Sequence, residues 1–192
     1  MPRKKKYIRT EVIEKAMKVF WDNGYKGTSM RMLEKEMGIN LYSIYADFES
    51  KEGIFIETLD RYRKLNKEVI LKPLINSIGD LEDIRVFFKG FVYSVKSGNT
   101  PNGCLFANTA MEIGQTDPRV AEQLDIFFRI LKDTYITLLE KAAANNQFTQ
   151  IDKIDQYANF LVGATEGIAV IAKVLDQNKL DDFIETTISA LQ

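Results

Sequence analysis

The chain lacks the residue types that most catalytic and metal sites require. Its 192 residues include no histidine and one cysteine. Catalysis by Ser-His-Asp or Cys-His arrangements and the usual structural zinc sites are therefore excluded, and one cysteine excludes an internal disulfide framework. Aspartate and glutamate are abundant, but none stands in a recognisable active-site motif. We expect a protein that is not an enzyme and that uses no metal ion or other cofactor.

Proline and long apolar runs are also scarce. Four prolines leave room for long helices, and apolar residues recur with helical spacing along most of the chain. No apolar run is long enough to span a bilayer and no signal peptide is visible, so we expect a cytoplasmic protein without a membrane partner. With 45% hydrophobic residues, the chain can bury a full core. The pattern predicts an all-α fold.

The net charge of −1 is unevenly distributed. Residues 1–53 carry an excess of three positive charges, and the remaining residues carry an excess of four negative charges. Basic residues that gather on one face can bind DNA even in an acidic protein. Part of the excess is a basic arm formed by Arg3, Lys4, Lys5, Lys6 and Arg9. This arm either contacts phosphate or the minor groove, or forms a solvated tail.

Residues 28–51 have the pattern of two short helices joined by a turn. Apolar residues mark one face of each helix, with a glycine between them: Met30, Leu33 and Met37, then Gly38, then Leu41, Ile44, Tyr45 and Phe48. Two short helices around a glycine turn are typical of a helix-turn-helix, whose second helix enters the DNA major groove. A helical hairpin inside an ordinary bundle is the alternative.

The residues at the predicted helix ends fit the same interpretation. Thr28 is suited to cap the first helix, and Gly38 to end it in a left-handed conformation. Asn40 is suited to cap the second helix, and Ser50 to cap a third that opens at Lys51. Free backbone N–H groups at such helix starts can bind phosphate.

Residues 16–55 resemble the DNA-binding domain of the tetracycline-repressor (TetR) family of bacterial transcription regulators. The matching residues are Ala16, Phe20, Gly24-Tyr25, Thr28-Ser29, Gly38-Ile39, Tyr45, Phe48 and Ser50-Lys51-Glu52. The resemblance implies an N-terminal three-helix DNA-binding domain over residues 1–50. It also implies a larger C-terminal helical domain over residues 51–192 that binds a small effector and forms a homodimer.

The resemblance also implies which side chains meet double-stranded DNA. Thr28, Tyr45 and Lys51 sit where the family contacts phosphates, and the residues that face bases are Leu41, Tyr42 and Ser43. Ser29 and Asn40, at the starts of the two helices, complete the predicted DNA-binding set. Two positions depart from the family pattern. Asp47 stands where many members have histidine, and phosphate repels it; Tyr42 stands where glycine is frequent and enlarges the reading surface.

About nine helices are expected in all. Beyond the DNA-binding pair they are predicted over residues 10–23, 51–71, 80–96, 103–114, 117–144, 153–176 and 179–191. The helix over 80–96 carries an aromatic stripe that either packs in the core or lines a ligand pocket. In the family, the last two long helices pair with their copies in a four-helix dimer interface. The small residues Gly163 and Gly167 would let another helix approach closely.

The predicted ligand-binding residues are spread over the predicted C-terminal domain: Phe87, Phe88, Phe91, Cys104, Asn108, Glu112, Phe128, Tyr135, Asn159 and Glu166. For the polar members, the alternative is that they face solvent or cap one another. Cys104 opens the helix over 103–114, where the thiolate of a reactive cysteine would be stabilised. The alternative for Cys104 is a small buried apolar residue.

These patterns lead to one main hypothesis for function and two alternatives. The main hypothesis is a ligand-responsive, homodimeric repressor that a small-molecule effector releases from a palindromic operator. The first alternative is an activator or architectural DNA-binding protein that needs no ligand. The second is a helical small-molecule carrier without DNA binding.

Overall fold

A computed structural model describes residues 7–114 and 116–192 of the chain. The predicted all-α fold is confirmed, since these residues form helices and no strands. No helix within these ranges is both long and apolar enough to cross a membrane. The helices are α1 (Arg9–Gly27), α2 (Met30–Met37), α3 (Leu41–Phe48), α4 (Lys51–Leu65), α5 (Lys72–Ile75), α6 (Glu82–Lys96), α7 (Leu105–Ile113), α8 (Pro118–Ala144), α9 (Ile154–Ile171) and α10 (Gln177–Ser189).

The chain divides into two compact units. The N-terminal unit contains the chain up to Leu65 together with Asn108–Leu124, and the C-terminal unit contains Asn66–Ala107 and Asp125–Gln192. This division differs from the boundary predicted after residue 50. Residues 51–65 and 108–124 group with the helix-turn-helix, because α4 packs on α1 and because the 108–124 segment bonds to residues of α1.

The N-terminal unit is held together by aromatic packing between α1 and α4. The rings of Phe20 and Phe55 lie 4.8 Å apart, and those of Trp21 and Tyr62 lie 5.0 Å apart, both edge to face. Edge-to-face pairs at this distance stabilise a core beyond their buried area. Helix α1 is interrupted at Gly24, which has a φ of 71°. The interruption directly follows Asn23, where the first helix was predicted to end.

The C-terminal unit has a core built mainly from one face each of α6, α8, α9 and α10. The aromatic side chains of Phe88 and Tyr135 are fully buried in it. The Tyr135 hydroxyl lies 2.7 Å from the Thr165 hydroxyl, which in turn donates to the Leu161 carbonyl at 2.8 Å. Both hydroxyls are therefore satisfied inside an apolar core, as buried polar groups usually are.

Several predicted helix ends are confirmed, and two are wrong. Helix α6 ends at Lys96 and α8 runs from Pro118 to Ala144, as predicted. The helix predicted over residues 51–71 instead ends at Leu65 and passes into a π-helical turn, Asn66–Ile70. What changes at Leu65 is the hydrogen-bond spacing, since the Leu71 amide donates at 2.8 Å to the carbonyl of Asn66, five residues earlier. The helix predicted over 153–176 ends at Ile171, because Asp176 already caps α10.

Replacing Phe88 tests whether it belongs to the core. Its side chain is fully buried in the core cluster, so Phe88→Ala should lower the free energy of unfolding by about 3–5 kcal/mol. Val86 lies on the same helix with about half of its surface exposed, and Val86→Ala should cost less than about 1 kcal/mol. Urea unfolding of both variants measures the difference. Similar losses in both would mean that Phe88 is not a core residue.

Candidate nucleic-acid interface and ligand site

The helix-turn-helix is fixed at its ends by local hydrogen bonds. Gly38 ends α2 in the left-handed region with a φ of 70°, as predicted. The Asn40 side chain caps α3 by accepting from the Ser43 amide at 2.9 Å, and Ser50 accepts from the Gly53 amide at 3.0 Å. These bonds satisfy amides that a helix start leaves without a partner. The predicted caps at Asn40 and Ser50 are thus confirmed.

The predicted cap at Thr28 is wrong, because its neighbour Ser29 caps α2. The Ser29 hydroxyl accepts from the Met32 amide at 3.3 Å. Thr28 is 2% exposed, and its hydroxyl donates to the Gly24 carbonyl at 2.6 Å. The Thr28 side chain therefore stabilises the connection between α1 and α2. Its contact with phosphate stays a prediction that this burial does not favour.

A further hydrogen bond closes the turn, and the sequence pattern did not reveal it. The Glu34 carboxylate accepts from the Leu41 amide at 2.9 Å. Because the two residues are seven positions apart, no capping motif would have indicated the pair. Below the turn, Leu33, Ile44 and Phe48 are buried. The turn and the apolar face together fix the orientation of α3.

The outer face of α3 carries two exposed tyrosines. Tyr42 is 85% exposed and Tyr45 is 51% exposed, while Leu41 and Ser43 are partly buried. On the helix that a helix-turn-helix inserts in the major groove, this face is the one available to base edges and phosphates. The position of Tyr42 and Tyr45 supports their predicted roles.

Lys51, a predicted phosphate contact, also has partners within the protein. Its ammonium group donates to the carbonyls of Tyr25 at 2.9 Å and Thr28 at 3.0 Å. It also lies 4.3 Å from the centre of the Tyr25 ring, a favourable cation–π distance. Lys51 therefore anchors the segment that leads into α2, whether or not it also contacts DNA.

The basic arm is described only in part. Arg3, Lys4, Lys5 and Lys6 lie outside the described residues, and Arg9 is the first residue of α1. The Arg9 guanidinium pairs with Glu57 and lies 4.2 Å from the centre of the Phe48 ring. Arg9 thereby joins α1 to α3 and α4. The Tyr7 hydroxyl donates to Asp47, so this carboxylate has a partner in the protein.

Two of the predicted ligand-binding residues line one cavity of the C-terminal unit. The cavity has a volume of about 240 Å³ and is lined in part by the side chains of Phe87 and Phe91. The other residues around it are Ile70, Pro73, Val86, Gly90, Ser94 and Thr100. Phe88 lies wholly in the core, whereas Phe87 belongs to the core and also lines the cavity. The aromatic stripe of α6 thus serves both alternatives.

Cys104 and Glu166 form a second, buried group in the same unit. Both Glu166 carboxylate oxygens are inaccessible to solvent, and burial raises the pKa of this carboxyl to about 7, with a smaller lowering from the Cys104 thiol. Burial, followed by the charge of Glu166, raises the pKa of the Cys104 thiol well above its usual value. A raised pKa opposes thiolate formation, so the geometry favours Cys104 as a buried apolar residue.

Of the remaining predicted ligand-binding residues, only Tyr135 lies near the buried group. Burial and then the charge of Glu166 raise the pKa of its hydroxyl, which is bonded to Thr165. Phe128 packs edge to face on Phe127, and Asn159 is exposed and bonded to Asp155. Asn108 and Glu112 belong to the N-terminal unit. The Glu112 carboxylate accepts from the amides of Tyr25 and Lys26 there, so its surroundings do not favour contact with an effector.

The geometry defines a helical protein with a helix-turn-helix for double-stranded DNA, and comparison with known proteins gives its family. Residues 12–58 match the family described as "Bacterial regulatory proteins, tetR family", and residues 81–188 match "Tetracyclin repressor-like, C-terminal domain". Because the second match alone covers more than half of the chain, the protein belongs to the TetR family. It is a DNA-binding transcriptional regulator.

Individual relatives agree with this assignment. The chain is 26% identical over 193 residues to the uncharacterized HTH-type transcriptional regulator YezE of Bacillus subtilis, covering 100% of both chains. It is 26% identical over 178 residues to the repressor ComR of Escherichia coli, covering 89% of this chain and 82% of ComR. It also superimposes with a TM-score of 0.86 on a cysteine mutant of the TetR family regulator CifR complexed with operator DNA, at 25% identity over 99% of this chain and 100% of that one.

Substitutions on α3 should separate base contacts from phosphate contacts. Tyr42→Ala should change which bases are preferred, with discrimination altered by about 1–3 kcal/mol at the contacted position. Tyr45→Phe keeps the ring but removes the hydroxyl, and it should weaken binding to all duplexes by roughly fivefold. Selection from a random duplex pool, followed by titration, measures both effects. An unchanged base preference in Tyr42→Ala would remove Tyr42 from the reading surface.

The buried Glu166 carboxyl should make stability depend on pH. Its pKa is about 7 in the folded chain against an ordinary value of 4.5, so the folded state retains the proton longer than the unfolded state. Its contribution to the free energy of unfolding is present below pH 4.5 and is lost as pH rises to about 7. Glu166→Gln should remove this loss, on the order of 3 kcal/mol.

Urea unfolding between pH 4 and 8, at one protein concentration, measures the effect of Glu166→Gln. The matched control is Glu140→Gln, which removes an exposed glutamate from α8. The control should lose stability in parallel with the wild type. If Glu166→Gln also follows the wild-type curve, the Glu166 carboxylate is solvated.

Proposed function

We propose that the protein is a homodimeric transcriptional repressor that binds a palindromic operator and is released by a small-molecule effector. The observation that carries the proposal is the exposed face of α3, where Tyr42 and Tyr45 stand out from a helix that is otherwise fixed by buried and capped residues. The relative ComR is a transcriptional repressor, which supports repression as the direction of control.

An exposed apolar stripe on α9 supports the homodimer. Phe160 is 45% exposed and Val170 is 39% exposed, and Gly163 is exposed between them. These three residues recur at spacings of three and seven, which places them on one side of the helix. A flat apolar stripe with a glycine in it allows close approach of a second helix. A copy of the same surface related by a two-fold axis is the simplest partner.

A dimer of helix-turn-helix units implies an operator of two related halves. Two-fold symmetry of the protein is matched by inverted half-sites, with centres one helical turn or slightly more apart. The structural relative CifR is complexed with a 26bp double-strand operator, a length that accommodates two such half-sites. Affinity would come mainly from phosphate contacts and specificity from the first turns of the two α3 helices.

The cavity beside Phe87 and Phe91 supports an effector site in the C-terminal unit. Its lining is apolar except for the hydroxyls of Ser94 and Thr100, which bond to each other at 2.9 Å. A cavity of this composition suits a small and largely apolar molecule. Such an effector would favour a conformation in which the two reading helices no longer match successive major grooves.

Enlarging Gly163 tests the dimer and the operator together. Gly163 is exposed, and a Cβ atom there would meet no atom of another part of the chain within 4 Å, so Gly163→Leu should leave the fold of the single chain intact and separate the two copies. Wild type should sediment as a dimer and select inverted repeats from a random duplex pool, whereas Gly163→Leu should sediment as a monomer and select none.

A control for this substitution is Gly90→Leu. Gly90 is exposed on α6, where a Cβ atom would likewise meet no atom of another part of the chain within 4 Å. It lies beside the cavity and not on α9, so this variant should remain a dimer. Dimers of Gly163→Leu that are indistinguishable from wild type in sedimentation would place the interface on another surface.

A further inference from the structure

The break in α1 leaves backbone amides that need acceptors. At Gly24, φ is 71° and ψ is 173°, values outside the helical region. The residues that follow resume a helical course as far as Gly27. As at any helix start, the first amides after the break have no carbonyl one turn earlier to bond to. These amides belong to Tyr25 and Lys26.

Glu112, from α7, supplies both acceptors. Its Oε2 accepts from the Tyr25 amide at 2.8 Å, and its Oε1 accepts from the Lys26 amide at 2.7 Å. A carboxylate that accepts two adjacent amides acts as a helix cap delivered from a distant part of the chain. The approach is close, because a methyl group at Gly24 would lie 2.7 Å from Glu112 Oε2. Gly24 therefore fits both the backbone conformation and the space.

Lys51 holds the same short segment by its carbonyls. Its ammonium group donates to the carbonyls of Tyr25 and Thr28, while Glu112 accepts from the amides of Tyr25 and Lys26. The side chain of Thr28 adds a bond back to the Gly24 carbonyl. Residues 25–28 are thereby fixed by one anion and one cation, and Ser29, the cap of α2, comes next. The position at which the helix-turn-helix begins depends on these bonds.

We propose that Glu112 is a positioning residue for DNA binding: it fixes the start of the helix-turn-helix without contacting DNA. The unit that reads DNA is then completed by residues 108–124 rather than being formed by the N-terminal helices alone. A second link between these parts of the chain is the ion pair of Arg119 with Glu52, in the first turn of α4.

Whether Glu112→Gln weakens or strengthens DNA binding distinguishes a positioning role from a simple effect of charge. Replacing a glutamate by glutamine removes a negative charge, which by itself strengthens attraction to phosphate. Glutamine also provides a single acceptor and brings an N–H group to face one of the two amides. Loss of the cap should therefore weaken binding although the charge change favours it. Glu122, exposed in the same unit, gives the charge change without the loss of the cap.

The experiment measures affinity for the duplex that wild-type protein selects from a random pool. Glu112→Gln should bind that duplex about tenfold more weakly than wild type, and Glu122→Gln should bind it equally or more tightly. The dependence of affinity on salt should keep the wild-type slope in Glu112→Gln, because no phosphate contact is lost. Amide hydrogen exchange at Tyr25 and Lys26 should become faster in Glu112→Gln.

A second variant perturbs the same hydrogen bonds by a change in α1 instead of in Glu112. Gly24→Ala places a methyl group against the Glu112 carboxylate and should weaken binding in the same way. Wild-type affinity in Glu112→Gln overturns the proposal, as does a changed salt slope, which would indicate a direct DNA contact. Thermal unfolding below the assay temperature in Glu112→Gln also overturns it, since the residue would then support the whole fold. If wild type selects no duplex, DNA binding itself fails rather than the role of Glu112.

Discussion

The structure depends on a single constraint, which is that the helix presented to DNA is too short to be stable alone. Helix α3 has eight residues, and isolated helices shorter than about 12 residues are marginal in water. Its stability must come from burial of Ile44 and Phe48 and from the cap at Asn40. The pairing of α1 with α4 through Phe20 and Phe55 supplies part of the surface on which the short helices rest.

The second requirement is that the amides left free at each helix start or break find an acceptor. The N-terminal unit meets it with carboxylates and hydroxyls placed at the breaks. Ser29 and Asn40 act locally, while Glu34 closes the turn and Glu112 closes the break in α1. Charged acceptors bind amides more strongly than neutral ones. The reading helix is therefore positioned by a set of polar contacts as much as by its apolar face.

Whether a contact of the N-terminal unit could be predicted from the sequence depends on how far apart in the chain its two partners lie. Gly38, Asn40 and Ser50 act within three or four residues, so the local pattern was sufficient. At the start of α2, two adjacent residues are both of a type that caps helices. Thr28 is buried and bonded to the Gly24 carbonyl, so Ser29 is the residue that caps α2. Glu112 contacts residues 86 and 87 positions away. No spacing rule reaches that far, which is why it resembled a ligand-binding residue.

The same limit applies to the C-terminal unit, where periodicity indicates burial but not what a buried residue faces. Phe87, Phe88 and Phe91 share a pattern, yet Phe88 lies wholly in the core, whereas Phe87 and Phe91 pack on the core and also line a cavity. Glu166 is the strongest exception to an apolar interior. No hydrogen-bond partner other than the Cys104 thiol is found for its carboxylate within the described residues. A group of this kind lowers stability, and an apolar side chain of similar size would avoid that cost. Strongly shifted carboxyls are concentrated at functional sites, so Glu166 gives the proposed effector-binding unit a polar group beyond its apolar cavity.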